Sequence, residues 1–442
     1  MTNFLGYKCS LCGAEYAPIQ VQYVCPKHGP PESGVGNLDM VLDYTAIRYN
    51  PASSPAAIAA SGDYSIWRYL SLLPIDNNRL NELRGSHPSN SSNPLFSVGW
   101  TPMYRADRLA SGLGLKHVYV KDDGRNPTAS FKDRASAVVV ARALEQGVKT
   151  VAAASTGNAG AALAGMAAAV GLPAVIFAPE TAPQAKVAQL LMFGAKVILV
   201  KGNYDAAFDL TLAVSKEFGW YCRNTGYNPF TLEGKKTAAF EICEQFTLHT
   251  MKSGTPLKWR APDRIFVSVG DGNIISGIHK GLKDLAALGW IDRVPKLMAV
   301  QAEGSAACAN AWKANTETIT PVIADTLADS IAVDLPRDGV RAVRAARDTG
   351  GAYVVVSDDD ILAAMRDLAR GLAVFAEPAG ATAYAGLVKA ARDGMIGADE
   401  TIVVMNTGNG LKDVKSAMRA AGEAVVIEPT LEAVKKLETL RV

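Results

Sequence analysis

The side chain with the clearest chemical potential in this sequence is Lys132, in the phrase Asn-Pro-Thr-Ala-Ser-Phe-Lys-Asp-Arg at 126–134. A strand-like run precedes the phrase and a helical pattern, from Phe131 to about Gln146, follows it, so Lys132 lies at the start of a helix. The partial positive charge of a helix N-terminus lowers the pKa of a nearby lysine. A deprotonated lysine amine can attack a carbonyl group and form a Schiff base. Taken alone, Lys132 could also be one of the many solvated lysines of the chain.

Four further stretches accompany the lysine phrase along the chain. They are Ser155-Thr156-Gly157-Asn158-Ala159-Gly160, Gly270-Asp271-Gly272-Asn273, Glu377-Pro378-Ala379-Gly380 and Thr407-Gly408-Asn409-Gly410. In this order, the five motifs resemble those of the pyridoxal-phosphate (PLP) enzymes of the tryptophan-synthase β-subunit fold, fold type II. The lysine phrase is most similar to that of the threonine synthases. The resemblance runs from about Thr101 to Glu428, which is most of the chain.

Two of these stretches are suited to binding anions. A turn between a strand and a helix aims backbone N–H groups and the helix dipole at an anion, and both 155–158 and 270–273 fit that description. The resemblance implies that the second turn cradles the PLP phosphate through Gly270, Asp271, Gly272 and Asn273. It implies that the first turn holds the substrate carboxylate through Ser155, Thr156, Gly157 and Asn158, with Asn158 also facing the phenolic oxygen of PLP. Asn158 could instead simply cap a helix, and we expect the Asp271 carboxylate to point away from the phosphate.

The resemblance also implies the roles of three residues around the cofactor ring. Lys132 is the catalytic residue and carries PLP, and the Thr407 hydroxyl meets the pyridine nitrogen. Because a hydroxyl donates a hydrogen bond without requiring that nitrogen to be protonated, the ring would be a mild electron sink, which suits elimination and replacement. Glu377 would lie near the ring, although a carboxylate at a helix N-terminus is an equally good interpretation.

The implied activity is that of a PLP-dependent lyase of amino-acid biosynthesis. A threonine synthase converts O-phosphohomoserine and water into threonine and phosphate, with the lysine amine as the base at Cα. The substrate phosphate needs a cationic pocket of its own. In the phrase Asn-Pro-x-Arg-x-Glu-Gly of relatives, however, this chain has Thr231 in place of the arginine. The lysines that could supply charge instead are Lys186, Lys235 and Lys236.

Further departures keep a second hypothesis open. The glycine loop at 270–273 is shorter than the usual Gly-Asn-Ala-Gly-Asn, and Asn409 stands where a histidine is frequent. The loop length and the missing arginine at position 231 favour a PLP-dependent ammonia-lyase or a β-replacement enzyme acting on an amino acid similar to serine or threonine. A non-catalytic relative is disfavoured by the complete set of motifs. A nicotinamide enzyme is disfavoured because no ordered Gly-x-Gly-x-x-Gly follows the first strand.

The N-terminal segment has the residues of a metal site. Cys9 and Cys12 form a Cys-x-x-Cys pair, and Cys25 and His28 follow within a short segment rich in glycine and proline. Two close pairs of such ligands can close a tetrahedral zinc site, which would stabilise a segment too small for a core of its own. Some threonine synthases have a similar zinc-ribbon-like N-terminus. The alternative is a coincidence of free cysteines.

The pattern of apolar residues predicts the fold. Strands are expected at Thr150–Ala154, Ala174–Ala178 and Lys196–Val200, and helices at Ala159–Val170, Pro183–Phe193 and Tyr204–Phe218. This alternation predicts a doubly wound α/β domain with a parallel sheet. We expect two doubly wound α/β domains with PLP between them, plus the zinc-ribbon-like segment. The predicted bounds are 1–36 for that segment, 37–135 with 221–442 for the large domain, and 136–220 for the small one.

Length and composition limit the class of protein. The chain has 442 residues, of which 49% are hydrophobic and 20% are charged, with a net charge of +2. This composition predicts a globular protein with a sizeable core, and the charge gives no argument for nucleic acid or an anionic membrane as a partner. No apolar run is long enough to span a bilayer, and the N-terminus lacks the pattern of an export signal. We therefore expect a cytoplasmic enzyme with a small-molecule amino-acid substrate and, from the resemblance, a homodimer.

Overall fold

The computed structural model describes residues 3–28, 36–84, 93–155, 157–182, 184–202, 204–251 and 258–437. Its strands are β1 (Phe4–Cys9), β2 (Glu15–Tyr16), β3 (Leu38–Leu42), β4 (Met103–Arg105), β5 (His117–Asp122), β6 (Val151–Ala154), β7 (Ala174–Pro179), β8 (Lys196–Val200), β9 (Tyr221–Cys222), β10 (Arg264–Ser268), β11 (Lys296–Ala302), β12 (Ala352–Val356) and β13 (Thr401–Asn406).

The α-helices are α1 (Tyr44–Tyr49), α2 (Pro55–Ala59), α3 (Asn77–Arg84), α4 (Asp107–Gly112), α5 (Lys132–Glu145), α6 (Asn158–Ala169), α7 (Gln184–Met192), α8 (Tyr204–Phe218), α9 (Phe230–Thr250), α10 (Asn273–Leu288), α11 (Ala307–Lys313), α12 (Gly339–Asp348), α13 (Asp358–Leu372), α14 (Pro378–Arg392), α15 (Val414–Ala421) and α16 (Leu431–Lys435). Short 3₁₀ helices occur at Pro51–Ser53, Ile66–Leu72, Pro94–Ser97, Asp123–Arg125, Glu303–Ser305, Asp329–Ile331 and Gly410–Asp413.

Two α/β sheets form the body of the molecule. The larger sheet has the order β12-β11-β10-β13-β5-β4, and its pairs are parallel except for β4, which is antiparallel to β5. The smaller sheet has the order β8-β7-β6-β9 and is wholly parallel. The predicted α/β class with parallel sheets is therefore confirmed. A third sheet, β2-β1-β3, is antiparallel and contains the N-terminal segment.

Both faces of the larger sheet are covered, as expected for parallel strands joined by helices. Successive side chains of β10 point to opposite faces. Accordingly, Ile265 and Val267 belong to one apolar cluster, whereas Phe266 belongs to another. The first cluster includes residues of α9, α10 and α12, and the second includes residues of α13 and α14. The sheet is thus held rigidly between two cores.

The carboxyl ends of the strands carry the motifs that the sequence singled out. β5 leads towards the lysine phrase, β6 into 155–158, β10 into 270–273 and β13 into 407–410. In open α/β sheets, ligands bind at the carboxyl ends of the strands. The topology therefore places the chemically interesting residues of both sheets where a ligand is expected.

Helix α9 fixes the position of α5, the helix that begins at Lys132. The two helices approach so closely that a Cβ atom on Gly234 of α9 would lie 2.1 Å from the carbonyl oxygen of Arg134. The Arg134 guanidinium is fully buried and bonds both Asp123 (2.6 Å) and Glu241 of α9 (2.6 Å). The Lys121 amine donates to the same Glu241 carboxylate (2.7 Å). This charged cluster locks the first turn of α5 against α9.

Two remaining predictions concern membranes and domain bounds. Among the described residues, no helix is both long and apolar enough to cross a membrane. The predicted domain bounds stay a prediction. The smaller sheet includes β9, which follows position 220, and the N-terminal sheet includes β3, which follows position 36.

Candidate active site

The turn before Lys132 is joined to the turn after β13. The Phe131 N–H donates to the Thr407 carbonyl (2.9 Å), and the Asn409 N–H donates to the Ala129 carbonyl (3.1 Å). Ala129 has a φ of 63°, a left-handed conformation that the surrounding contacts must impose. These bonds hold the start of α5 beside Thr407, and both Lys132 and Thr407 line one cavity.

Two adjoining cavities bring most of the predicted site residues together. The first is lined by Lys132, Thr225, Lys235, Ser268, Gly270, Asp271, Gly272, Asn273, Ser330, Glu377 and Thr407, among others. The second shares Lys132 and Asp271 with the first and adds Ser155, Gly157, Asn158 and Tyr204. Lys132 thus lies where the two cavities meet. Thr156, predicted to hold the substrate carboxylate, lies outside the described residues.

The 270–273 turn has the shape of a phosphate cradle. Gly272 has a φ of 88°, and a Cβ atom there would come within 2.7 Å of the Asp338 carbonyl oxygen. The backbone can therefore take this course only with glycine. Helix α10 begins at the next residue, Asn273, so its N-terminus faces the cavity. The Ser268 hydroxyl is buried without a hydrogen-bond partner among the described residues, and it supplies a further donor for an anion.

The side chains of the cradle form hydrogen bonds with residues outside the turn. The Asn273 amide donates to Asp338 (2.7 Å), while its oxygen accepts from the Lys235 amine (2.5 Å). Asp271 accepts a bond from the backbone N–H of Arg337 (3.2 Å). Burial raises the pKa of Asp271. Its orientation relative to a phosphate stays a prediction.

The 155–158 turn lies at the carboxyl end of β6 and starts α6. The Ser155 hydroxyl accepts a bond from the Gly157 N–H (3.1 Å). The Asn158 amide donates to the Glu377 carboxylate (2.6 Å), which belongs to the turn before α14. This bond links the two α/β units across the cavity. Free N–H groups at the start of α6 remain available for a carboxylate.

The electrostatics of the cavity favour a reactive lysine. Burial lowers the pKa of Lys132, and the positive charge of Arg223 lowers it further, whereas Glu377 and Asp271 oppose the change. From the sequence, a lowered pKa of Lys132 was expected from helix N-termini alone. Burial also raises the pKa of Glu377. A lysine with a lowered pKa is present more often as the free amine, the form that acts as nucleophile and base.

The three lysines that could supply charge have different environments. Lys236 is fully buried and pairs with Glu233 and with Asp284 (2.9 Å), so its charge is already compensated. Lys186 pairs with the exposed Asp329.

Lys235 is fully buried, lines the first cavity and donates to the Asn273 side-chain oxygen. The Thr231 hydroxyl donates to the same oxygen (3.3 Å). Thr231 and Lys235 are four residues apart on α9 and share one face of the helix. Lys235 therefore brings an amine to the region in which an arginine at position 231 was expected.

Arg223 is the residue of this region that the sequence analysis missed. It follows β9, a strand of two residues that no periodic pattern reveals. Its side chain is 1% exposed, and it lies among the charged groups that act on Lys132 and Lys235. A basic residue in the loop between β9 and α9 carries no distinctive sequence signal.

The predicted metal ligands also come together. One ligand atom from each of Cys9, Cys12, Cys25 and His28 lies within 4.8 Å of the other three. The His28 Nε2 atom is buried without a hydrogen-bond partner among the described residues. Hydrogen bonds, chiefly from the backbone at Ala14, lower the pKa of Cys12 to about 6. Soft sulfur ligands with one imidazole suit zinc, so the donor set fits that ion.

Known proteins resemble this chain in sequence over most of its length. The family of pyridoxal-phosphate dependent enzymes matches residues 95–408. A threonine synthase of Methanosarcina acetivorans is 38% identical over 431 residues, which cover 97% of each chain. A threonine synthase of Methanocaldococcus jannaschii is 38% identical over 433 residues, 97% of this chain and 98% of its own.

Solved structures share the fold. The processed form of threonine deaminase isoform 2 from Solanum lycopersicum has a TM-score of 0.61 at 24% identity and covers 75% of this chain and 90% of its own. Diaminopropionate ammonia lyase from Escherichia coli has a TM-score of 0.62 at 20% identity and covers 78% and 92%. The full-length similarity and the arrangement around Lys132 lead to one conclusion. This chain is a threonine synthase-like member of the family of pyridoxal-phosphate dependent enzymes.

Proposed function

We propose that this protein is a threonine synthase, which converts O-phosphohomoserine and water into threonine and phosphate. The observation that carries the proposal is the 38% identity to threonine synthases over 97% of the chain. The cavity supports it, because Lys132 lies beside both an anion-binding turn at the start of α10 and a second one at the start of α6.

The residues of the cavity fit PLP. Lys132, Asn158, Gly270, Asp271, Gly272, Asn273 and Thr407 would hold it. The unpartnered Ser268 hydroxyl and the glycine cradle support this assignment, since both suit a phosphate. When bound, PLP supplies an electron sink for the charge that develops at Cα.

The chain itself positions the substrate and moves its protons. Ser155, Thr156, Gly157 and Asn158 would bind the carboxylate. The Lys132 amine, whose pKa is lowered by burial, takes the proton from Cα and then moves protons along the side chain. The Thr407 hydroxyl would donate to the ring nitrogen. Glu377 accepts a hydrogen bond from the Asn158 side-chain amide and so fixes the orientation of that amide.

A second candidate function is a PLP-dependent ammonia-lyase or β-replacement reaction on a serine- or threonine-like amino acid. The observation that favours it is Thr231, which is fully buried and brings no charge to the site. Lys235 weakens this argument, because it brings an amine to the same face of α9.

One assay separates the two candidates. The PLP-loaded protein is given O-phosphohomoserine and, in parallel, serine and threonine, and phosphate, ammonia and amino acids are measured. Phosphate released in step with threonine supports the synthase. Ammonia and a keto acid from serine or threonine, with phosphohomoserine inert, would establish the lyase. Lys132→Ala is the control for both reactions and should be inactive in each.

We also propose a structural zinc ion held by Cys9, Cys12, Cys25 and His28. It would join the hairpin of β1 and β2 to the segment at 25–28, since the four residues come from both. The proposed unit bounds are those of the sequence analysis: 1–36, 37–135 with 221–442, and 136–220. A homodimer and a cytoplasmic location are further proposals, which rest on the similarity to threonine synthases.

A further inference from the structure

Arg223 is an ionised group with incomplete compensation. Its Nε donates to the Ser136 hydroxyl (3.3 Å) and its Nη1 to the Thr225 hydroxyl (2.7 Å). Its Nη2 is buried and has no hydrogen-bond partner among the described residues. No carboxylate among those residues bonds this guanidinium, whereas the buried Arg134 bonds two carboxylates. A buried guanidinium without an anion is costly, so a bound anion would supply what the protein does not.

Arg223 lies next to the active site through its hydrogen-bond partners. Ser136 is one helical turn beyond Lys132 on α5, so the two residues share a face of that helix. Thr225, the other partner, lines the cavity that contains Lys132 and the glycine cradle. Because the Thr225 oxygen accepts from Arg223, the Thr225 hydroxyl proton is free to be donated to a ligand in the cavity. Arg223 thus stands directly behind the cavity wall.

The sheet places Arg223 beside the strand that leads to the 155–158 turn. β9 is paired in parallel with β6, and the Arg223 N–H donates to the Ala152 carbonyl (2.8 Å). Neighbouring strands lie about 5 Å apart. Arg223 therefore leaves the sheet one strand away from the 155–158 turn, which would hold the substrate carboxylate. The cradle at 270–273, in contrast, follows β10 of the other sheet, and Lys235 contacts that cradle.

Arg223 keeps its charge although it is buried. Burial lowers the pKa of Arg223 to about 10, so the guanidinium stays protonated at neutral pH. Burial and the charges of Arg223 and Lys132 lower the pKa of Lys235 well below its ordinary value. The Asp271 carboxylate acts on Arg223 from the cavity, but these two side chains form no ion pair.

We propose that Arg223 binds the phosphate of the substrate, in place of the arginine expected at position 231. The inference rests on the proposed function and names the residue behind its specificity. Arg223 and the Thr225 hydroxyl recognise a phosphate monoester on the side chain of an amino acid whose carboxylate lies at 155–158.

The test uses the PLP-loaded full chain with Arg223→Gln and Arg223→Lys. Loss of a charged hydrogen-bond donor should raise the KM for O-phosphohomoserine about 10- to 100-fold in Arg223→Gln. Arg223→Lys keeps the charge and should recover part of that loss. The affinity for inorganic phosphate, measured by titration calorimetry on the PLP-loaded protein, should fall in parallel. PLP affinity and the exchange of the Cα proton of L-2-aminobutyrate with D₂O should stay within about threefold of wild type, because neither involves a substrate phosphate.

Arg142→Gln is the matched control. Arg142 lies on the same helix as Lys132 and pairs with Glu145 (2.9 Å), away from the cavity. It should leave KM and phosphate affinity unchanged. An unchanged KM in Arg223→Gln would overturn the inference, as would a loss of PLP affinity with a normal KM at saturating PLP. If the wild-type protein itself releases no phosphate from phosphohomoserine, the proposed function fails first, which the wild-type arm alone reveals.

Discussion

Replacing Glu241 by glutamine tests the claim that buried charges hold Lys132 in place. The Glu241 carboxylate bonds Arg134 through both oxygens (2.6 and 2.8 Å) and also accepts from Lys121 (2.7 Å). All three side chains are fully buried. Glu241→Gln keeps the shape but removes the negative charge. Arg134 would keep its ion pair with Asp123, whereas Lys121 would have no ion pair left among the described residues.

Two arguments give the size of the effect. Breaking a buried ion pair by removing one partner costs about 3–5 kcal/mol. Independently, the charges of Arg134 and Lys121 outweigh burial and lower the pKa of Glu241 from 4.5 to about 2, which corresponds to about 3 kcal/mol of stability. Because the folded pKa is the lower one, this contribution is present above pH 4.5 and is lost as the pH falls from about 4.5 towards 2. At neutral pH, Glu241→Gln should therefore lower the free energy of unfolding by about 3–5 kcal/mol.

Thermal unfolding of the variant measures this effect. For a cooperative unit of a few hundred residues, about 3–5 kcal/mol lowers Tm by about 5–8 °C. Glu15→Gln is the control, since Glu15 forms an exposed pair with Lys8 (3.1 Å) that contributes at most about 1 kcal/mol. Phosphate release should fall as well, because the first turn of α5 would lose its anchor. A Glu241→Gln protein with the Tm and activity of wild type would refute the reasoning.

Two further predictions concern the cradle and the metal site. Gly272→Ala should weaken PLP binding about 5- to 150-fold, since a left-handed conformation and a Cβ 2.7 Å from the Asp338 oxygen together cost about 1–3 kcal/mol at the cradle. Gly289→Ala is the control: Gly289 has a φ of 72° but nothing within 4 Å of its Cβ, so this variant should lower Tm without changing PLP affinity. Equal PLP affinities in the two variants would contradict the assignment of 270–273 to the phosphate. Cys25→Ala should reduce bound zinc, measured by elemental analysis, from one ion per chain to nearly none and should lower Tm. Cys308→Ala, which changes a buried thiol outside the cluster, should keep the ion. Wild-type protein that contains no zinc would rule the site out.

Regular alternation made one part of the fold predictable. The expected strand Lys196–Val200 and helix Tyr204–Phe218 coincide with β8 and α8, and the strands at 150–154 and 174–178 differ from β6 and β7 by one residue. These segments alternate apolar strands with amphipathic or alanine-rich helices, so local pattern and tertiary packing favour the same structure.

Local pattern fails where tertiary contacts decide the structure. β9 has two residues, and only its pairing with β6 makes it a strand. β4 joins the larger sheet in the antiparallel direction, which periodicity cannot specify. The same limit applies to the site. Lys235 and Lys236 are adjacent and chemically identical in the sequence, yet Lys236 pairs with two carboxylates while Lys235 faces the cavity.

The central claim is most directly tested by running the reaction in water labelled with ¹⁸O. A threonine synthase breaks the Cγ–O bond of O-phosphohomoserine and adds water at Cβ, so phosphate leaves with its original oxygens. We predict that the threonine gains one ¹⁸O atom and that the phosphate gains none, in equal amounts of the two products. Homoserine with ¹⁸O-labelled phosphate would show plain ester hydrolysis, and ammonia with a keto acid would show a lyase. Either result would contradict the account.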